Sequence, residues 1–177
     1  MEAGGDAMII RLVGAGMIVI ASVGFALLIA LFHKKEITTL KQLISALDYM
    51  ECELQYRMYA LPELCRLTAG ECTGILRNVF SSLAIRLEDQ ISPDVRCCMQ
   101  EVLSNQRNIP SQALECLYLL GESLGRFDLP GQLKGLENAR KECRERLSRL
   151  QAGGEGRLRS YQMLGICGGA ALIILLI

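Results

Sequence analysis

Leu12-Val-Gly-Ala-Gly-Met-Ile-Val-Ile-Ala-Ser-Val-Gly-Phe-Ala-Leu-Leu-Ile-Ala-Leu-Phe32 is 21 residues long and holds no charge, no proline and a single serine. As a helix it covers ~30 Å, the thickness of a bilayer's hydrocarbon core. A core helix of a water-soluble domain is seldom apolar around its whole circumference, because one side meets solvent. The stretch is therefore expected to cross a membrane. His33-Lys34-Lys35 ends it, and Arg11 is the only base before it, with Glu2 and Asp6 further out. Lys and Arg gather on the cytoplasmic side, so residues 1–11 are expected outside and the chain from residue 33 inside. A cleaved signal peptide fits poorly: the run is too long, its bases follow it and no A-x-A site closes it.

At the other end, Met163 to Ile177 is apolar to the last residue, with Arg157 and Arg159 ahead of it. Counted from Tyr161 the segment makes ~25 Å of helix, at the short end for a span. Having no polar face, it does not read as a helix lying in the interface. Its bases also lie on the inner side, so two spans, 12–32 and 161–177, are expected around a cytoplasmic domain, 33–160. Ser22, Ala26 and Ala30 in the first and Gly165 and Gly169 in the second stand at i,i+4. That is the spacing by which small residues let membrane helices approach closely.

Between the spans the pattern is helical throughout. Ile37, Leu40, Leu43, Ile44, Leu47, Met50, Leu54 and Met58 recur at steps of three and four, a long amphipathic helix. Pro62 breaks it, being unable to donate a backbone hydrogen bond and restricting Leu61. A short second helix follows, ended at Gly70. Thr73 is expected to cap a third, bearing Ile75, Leu76, Val79, Phe80, Leu83 and Leu87. Ser92-Pro93-Asp94 reads as N-cap, proline and first-turn acid of a fourth, with Val95, Met99, Val102 and Leu103 inward. After a turn at 105–110, Ser111 is expected to cap a fifth, with Leu114, Leu117, Leu120 and Leu124, which Gly125 closes. Asp128 caps the last, whose stripe is Leu133, Leu136, Cys143, Leu147 and Leu150, and the glycine-rich 151–156 interrupts the helical pattern. The fold class is all-α: a six-helix antiparallel bundle flanked by N-terminal and C-terminal transmembrane helices.

Composition agrees and excludes several functions. Of 177 residues 51% are hydrophobic but only 5% aromatic, and Trp is absent, which favours helices over a sandwich or barrel. Nineteen bases balance nineteen acids, unlike the basic footprint of a nucleic-acid binder. Eight cysteines, at 52, 65, 72, 97, 98, 116, 143 and 167, include no C-x-x-C, and the one histidine is His33, so no zinc site is expected. They read as small hydrophobes in a reducing cytoplasm. Gly153-Gly154-Glu155-Gly156 lacks the lysine of a phosphate loop, and no G-x-S-x-G occurs. Neither an enzyme, a cofactor nor a small-molecule substrate is expected.

Three stretches carry a resemblance. Leu47-Asp-Tyr-Met-Glu51-Cys-Glu53-Leu-Gln-Tyr56, then Leu61-Pro62-Glu63-Leu64, is similar to the L-x-x-L-E-x-E-I-x-Y…L-P-E-A-L signature of the stage III sporulation protein AB family. Leu124-Gly125-Arg-Phe-Asp128, followed by Gln132, Lys134 and Leu136, resembles that family's L-G-x-S-D…Q-x-K-x-L run, with Phe127 in place of the usual serine. Tyr161-Gln-Met-Leu164-Gly165 resembles the start of its final span. The resemblance implies a part of the channel apparatus between mother cell and forespore, in the mother-cell membrane that engulfs the forespore. It implies a cytoplasmic domain like that of the inner-membrane platform protein of type II secretion and type IV pilus machines. The implied partners are a secretion-type ATPase, the stage III sporulation protein AA, and other membrane proteins of the same complex. Interface candidates carried over on these motifs are Glu51, Glu53, Tyr56, Leu61, Pro62, Glu63, Leu124, Gly125, Asp128 and Gln132. The alternative is a membrane-anchored signalling module that dimerises through the first helix, which needs more heptads than Pro62 leaves.

One expectation concerns a charge. At 100° per residue Glu51 projects inside the apolar arc between Leu47 and Leu54, while Glu53 projects well outside it. The same construction puts Arg140 within the stripe of the last helix. Glu51 is therefore expected to be at least partly buried and to meet an arginine, with Arg140 the first candidate, because an unpaired buried carboxylate is costly.

Overall fold

A computed structural model describes residues 3–89, 94–106, 108–125 and 128–176, with the backbone alone over most of 3–26 and all of 154–176. The elements are α1 (Ala3–Arg57), α2 (Leu61–Glu71), α3 (Gly74–Glu88), α4 (Val95–Ser104), α5 (Ser111–Ser123) and α6 (Leu129–Leu176). Among the described residues there is no strand. The chain divides into two compact units, one of residues 35–150 and one of residues 1–34 and 151–177.

The long first and last helices differ from expectation. No break separates the apolar stretch 12–32 from the amphipathic run after it, and 151–156 continues α6 instead of interrupting it. Glycine costs a helix about 1 kcal/mol relative to alanine but removes no backbone hydrogen bond, so a few glycines weaken a long helix without ending it. Ser22, Ala26, Gly165 and Gly169, with most of the two expected spans, are described by their backbone alone, so their expected packing lies outside what the structure describes, whereas Ala30 is partly buried. Among the described residues no helix is long and apolar enough to cross a membrane.

Unit 35–150 is an antiparallel helical bundle. Successive helices α2 to α5 pack on one another, and α6 returns alongside α1, where Arg140 reaches Asp48 and Glu51. Leu40, Leu43, Leu47, Met50 and Leu54 of α1 are buried, as the period requires, and so are Leu76, Val79, Phe80 and Leu83 of α3. The α4 and α5 stripes are inward as well, and α6 contributes Leu136, Ala139 and Cys143. Thr39 and Thr68 are the buried polar residues among those described, and each hydroxyl donates to the carbonyl one turn back, Lys35 and Leu64 respectively.

Helix ends match the expected caps only in part. Asp128 caps α6, its carboxylate accepting from the Gly131 N–H. Gly125, at φ +76°, follows α5, and an added Cβ there would lie 2.4 Å from Val95 Cγ2. Thr73 precedes α3 but its side chain makes no cap hydrogen bond. The cap of α4 is Asp94, which accepts from the Arg96 N–H at 3.1 Å, so the helix starts later than Ser92, which with Pro93 lies outside the described residues. Ser111 is not a cap but the first residue of α5. The capping oxygen comes from α1: Glu36 Oε1 accepts from Ser111 Oγ at 3.1 Å and from the Gln112 N–H at 3.3 Å.

Candidate functional site

Helix α1 stops at Arg57. Met58 follows with φ 50°, a left-handed conformation that costs a side chain with a Cβ roughly 1–2 kcal/mol. The break expected at Pro62 is therefore present, but the chain turns four residues earlier, and Pro62 sits in the first turn of α2, where its missing N–H is not needed. This turn throws Met58 outward, 69% exposed, although the period of α1 assigns it to the apolar stripe. Tyr56 beside it is 77% exposed.

The second signature segment comes to the same end of the bundle. Leu124, the C-cap of α5, is fully buried, and Gly125 follows it in a left-handed conformation. A Cβ on Gly125 would stand 3.5 Å from Leu61 Cδ2, so the Leu61-Pro62-Glu63 and Leu124-Gly125 segments are neighbours in space, against the start of α4 at Val95. Glu63 faces solvent and pairs with Arg66 at 3.1 Å. The Gln132 N–H donates to the Asp128 carbonyl at 2.9 Å in the first turn of α6.

The two signature carboxylates go to different partners. Glu51 meets Arg140 at 2.6 Å with side chains 27% and 23% exposed, so the expected pair is present and partly buried. Asp48, which the arc construction does not single out, also holds Arg140, at 2.8 Å, and is reached by Arg144 at 3.7 Å. A sequence signal for it exists: Asp48 and Glu51 stand at i,i+3 on α1, and Arg140 and Arg144 at i,i+4 on α6. The hydrogen bond that Arg140 donates to Asp48 and the charge of Glu51 raise the pKa of the Arg140 guanidinium, against the opposing effect of burial. Glu53 corrects the arc construction, for its side chain is only 13% exposed, more buried than Glu51. Its Oε2 is out of solvent and makes no hydrogen bond, while Arg57 Nε stands 3.5 Å away, an ion pair without hydrogen-bond geometry. Burial pushes the nearby Tyr49 phenol up, and the charges of Glu53 and Glu71 add to this. Arg57 in turn donates to the Tyr59 hydroxyl at 3.1 Å.

The end of the bundle so built is a corner of two turns, rigid where Gly125, Leu61 and Leu124 pack, with an aromatic ring and a thioether presented outward. Such groups are over-represented at protein interfaces. Among the described residues no group of three His, Cys, Asp or Glu could hold a metal ion. The bundle's α5–α6 side is pinned by Arg146, which binds Glu115, Glu142 at 2.8 Å and the Gln112 amide at 3.1 Å.

Comparison with known proteins follows the same lines. The family model described as Stage III sporulation protein AB matches residues 11–177. A solved structure of a stage III sporulation protein AB is 19% identical and superposes with a TM-score of 0.61, covering 69% of this chain and 98% of that one. Among curated proteins no match is found.

Proposed function

The chain belongs to the stage III sporulation protein AB family, and from that premise we propose that it is a membrane platform component of a secretion-like channel complex between mother cell and forespore. In this reading it passes the work of a cytoplasmic secretion-type ATPase, the stage III sporulation protein AA, to other membrane proteins of the complex. Residues 12–32 and 161–177 span the mother-cell membrane around the engulfed forespore, and the bundle lies in the cytoplasm. It has no catalytic role and no cofactor.

The observation that carries the reading is the meeting of the two signature segments at one end of the bundle. Residues 35 and 150, where the chain enters and leaves, lie at the other end. A load applied at the Tyr56–Met58 corner would reach α1 and α6 together, because Arg140 joins them midway. The membrane reading is supported by Phe25, Leu27, Leu28, Leu31 and Phe32, each more than half exposed, on several sides of one helix. Bare apolar surface of that kind is stable in lipid. The signalling alternative loses its basis, since Leu40, Leu43, Leu47, Met50 and Leu54 are already buried within the chain's own bundle.

Full-length chain carrying an affinity tag should recover the ATPase from sporulating cells, and Tyr56→Ala with Met58→Asp should reduce recovery at least tenfold while the protein stays folded. Unchanged recovery from the double variant would place the ATPase contact elsewhere. For topology, a cysteine placed near Met1 should react with an impermeant maleimide in intact cells and the exposed Cys97 should not. The reverse pattern would refute it.

A further inference from the structure

At the opposite end from the signature corner lies a cavity of about 510 Å³, a size typical of small-ligand sites. It is bounded by Lys35 and Gln42 of α1, by Thr73 and Asn78 where α3 begins, and by Gln106 and Asn108 between α4 and α5. None of the residues that line it is acidic, although acids equal bases over the chain. Among the described residues the Lys35 ammonium has no carboxylate partner. Glu36, the next residue, is turned to the amino end of α5. Four side-chain amides and a lysine thus line one opening, and no carboxylate lines it with them.

The backbone adds to this donor set. The Gln42 Nε2 donates to the Thr73 hydroxyl at 2.7 Å, and Thr73 gives α3 no side-chain cap. Gly74 and Ile75, which open α3, line the cavity, and their N–H groups belong to the first turn, which has no acceptor within the helix. Gly74 sits at φ +61° and a Cβ there would meet nothing within 4 Å, so the backbone stands open to whatever fills the space. A cation, several amide donors and first-turn N–H groups match a tetrahedral oxyanion with several acceptor atoms.

We infer that this cavity is a binding site for a phosphate group, supplied by the headgroup of an anionic phospholipid or by a soluble phosphate. Lys35 neutralises the charge, and Gln42, Asn78 and Asn108 orient the oxygens. The lipid source rests on the membrane reading above, because Lys35 lies three residues beyond Phe32; the site itself does not. A bound headgroup would tie the entry of α1 to the start of α3 and to the α4–α5 connection.

The test uses the full chain, ¹⁵N-labelled, in neutral dodecyl maltoside micelles, titrated with inorganic phosphate and separately with the water-soluble dihexanoyl phosphatidic acid. Saturable shifts of the Gly74 and Ile75 amides and of the Asn78 side-chain amide are expected. Lys35→Gln and Asn78→Asp should each weaken binding about tenfold, one charge-assisted contact's worth, while Lys41→Gln, an exposed lysine outside the cavity, should not. Tighter binding of the phosphatidic acid identifies a lipid site, and equal binding identifies a soluble phosphate. Absence of shifts with both probes overturns the inference, as does an equal loss in Lys35→Gln and Lys41→Gln. The inorganic phosphate arm reads out whether or not the termini cross a membrane.

Discussion

Arg140 is held by two carboxylates of α1, and the geometry sets what each is worth. Glu51 and Arg140 are about a quarter exposed, so the pair is neither a surface bridge nor a buried one. Glu51→Ala should cost about 1–2 kcal/mol, below the 3–5 kcal/mol of a fully buried pair, because Asp48 stays as a partner for Arg140. A cycle with Arg140→Leu should give a coupling near 1 kcal/mol by urea denaturation, and a coupling of zero would mean that Asp48 alone holds the guanidinium. Met58 offers the opposite sign. It is exposed and left-handed, so Met58→Gly should stabilise by a few tenths to about 1 kcal/mol, the relief of strain outweighing the added freedom of the unfolded chain. Met58→Ala, which keeps the Cβ, should gain nothing.

Among the elements, α5 depends on a residue far away in sequence. Glu36 lies 75 residues from Ser111 and caps its helix. Glu36→Ala should destabilise by about 1 kcal/mol and speed hydrogen exchange at the Gln112 amide selectively, with Glu36→Gln retaining part of the cap. No sequence signal marks such a cap, since the local rule looks only at the residues beside the helix start. The stripes are legible in the sequence because each helix buries one face at a 3.6-residue period, and the Glu51–Arg140 pair follows from that arc alone. The burial of Glu53 does not. The arc describes a helix covered on one side, whereas the flank of α1 that carries Glu53 is also closed in, beside Tyr49 and Glu71. Close approaches are equally hidden: an added Cβ on Gly135 of α6 would come within 2.3 Å of Ser123 Cβ on α5, and nothing in the sequence around Gly135 announces it.

For the whole molecule, the buried thiols set a limit on alkaline stability. Burial pushes Cys65 up to about 12 and Cys72 up to about 11, from an ordinary value of 9.0. Both therefore keep their protons in the folded state after the unfolded chain has lost them. Their contribution is complete below pH 9 and is lost as pH rises toward 11 and 12, at up to ~1.4 kcal/mol per pH unit for each thiol. Urea midpoints should fall between about pH 9 and 11, and less steeply in Cys65→Ala; parallel curves would show that Cys65 does not titrate this way. The α1–α6 contact has a consequence for synthesis. Glu51 is translated 89 residues before Arg140, which at a ribosomal rate of roughly 5–20 residues per second leaves it without that partner for about 4–18 s. During that interval the nascent chain presents the α6-facing side of α1 unpaired. The bundle is therefore completed only once α6 has emerged, and a message truncated before α6 would yield a chain whose first helix remains open to chaperones and proteases.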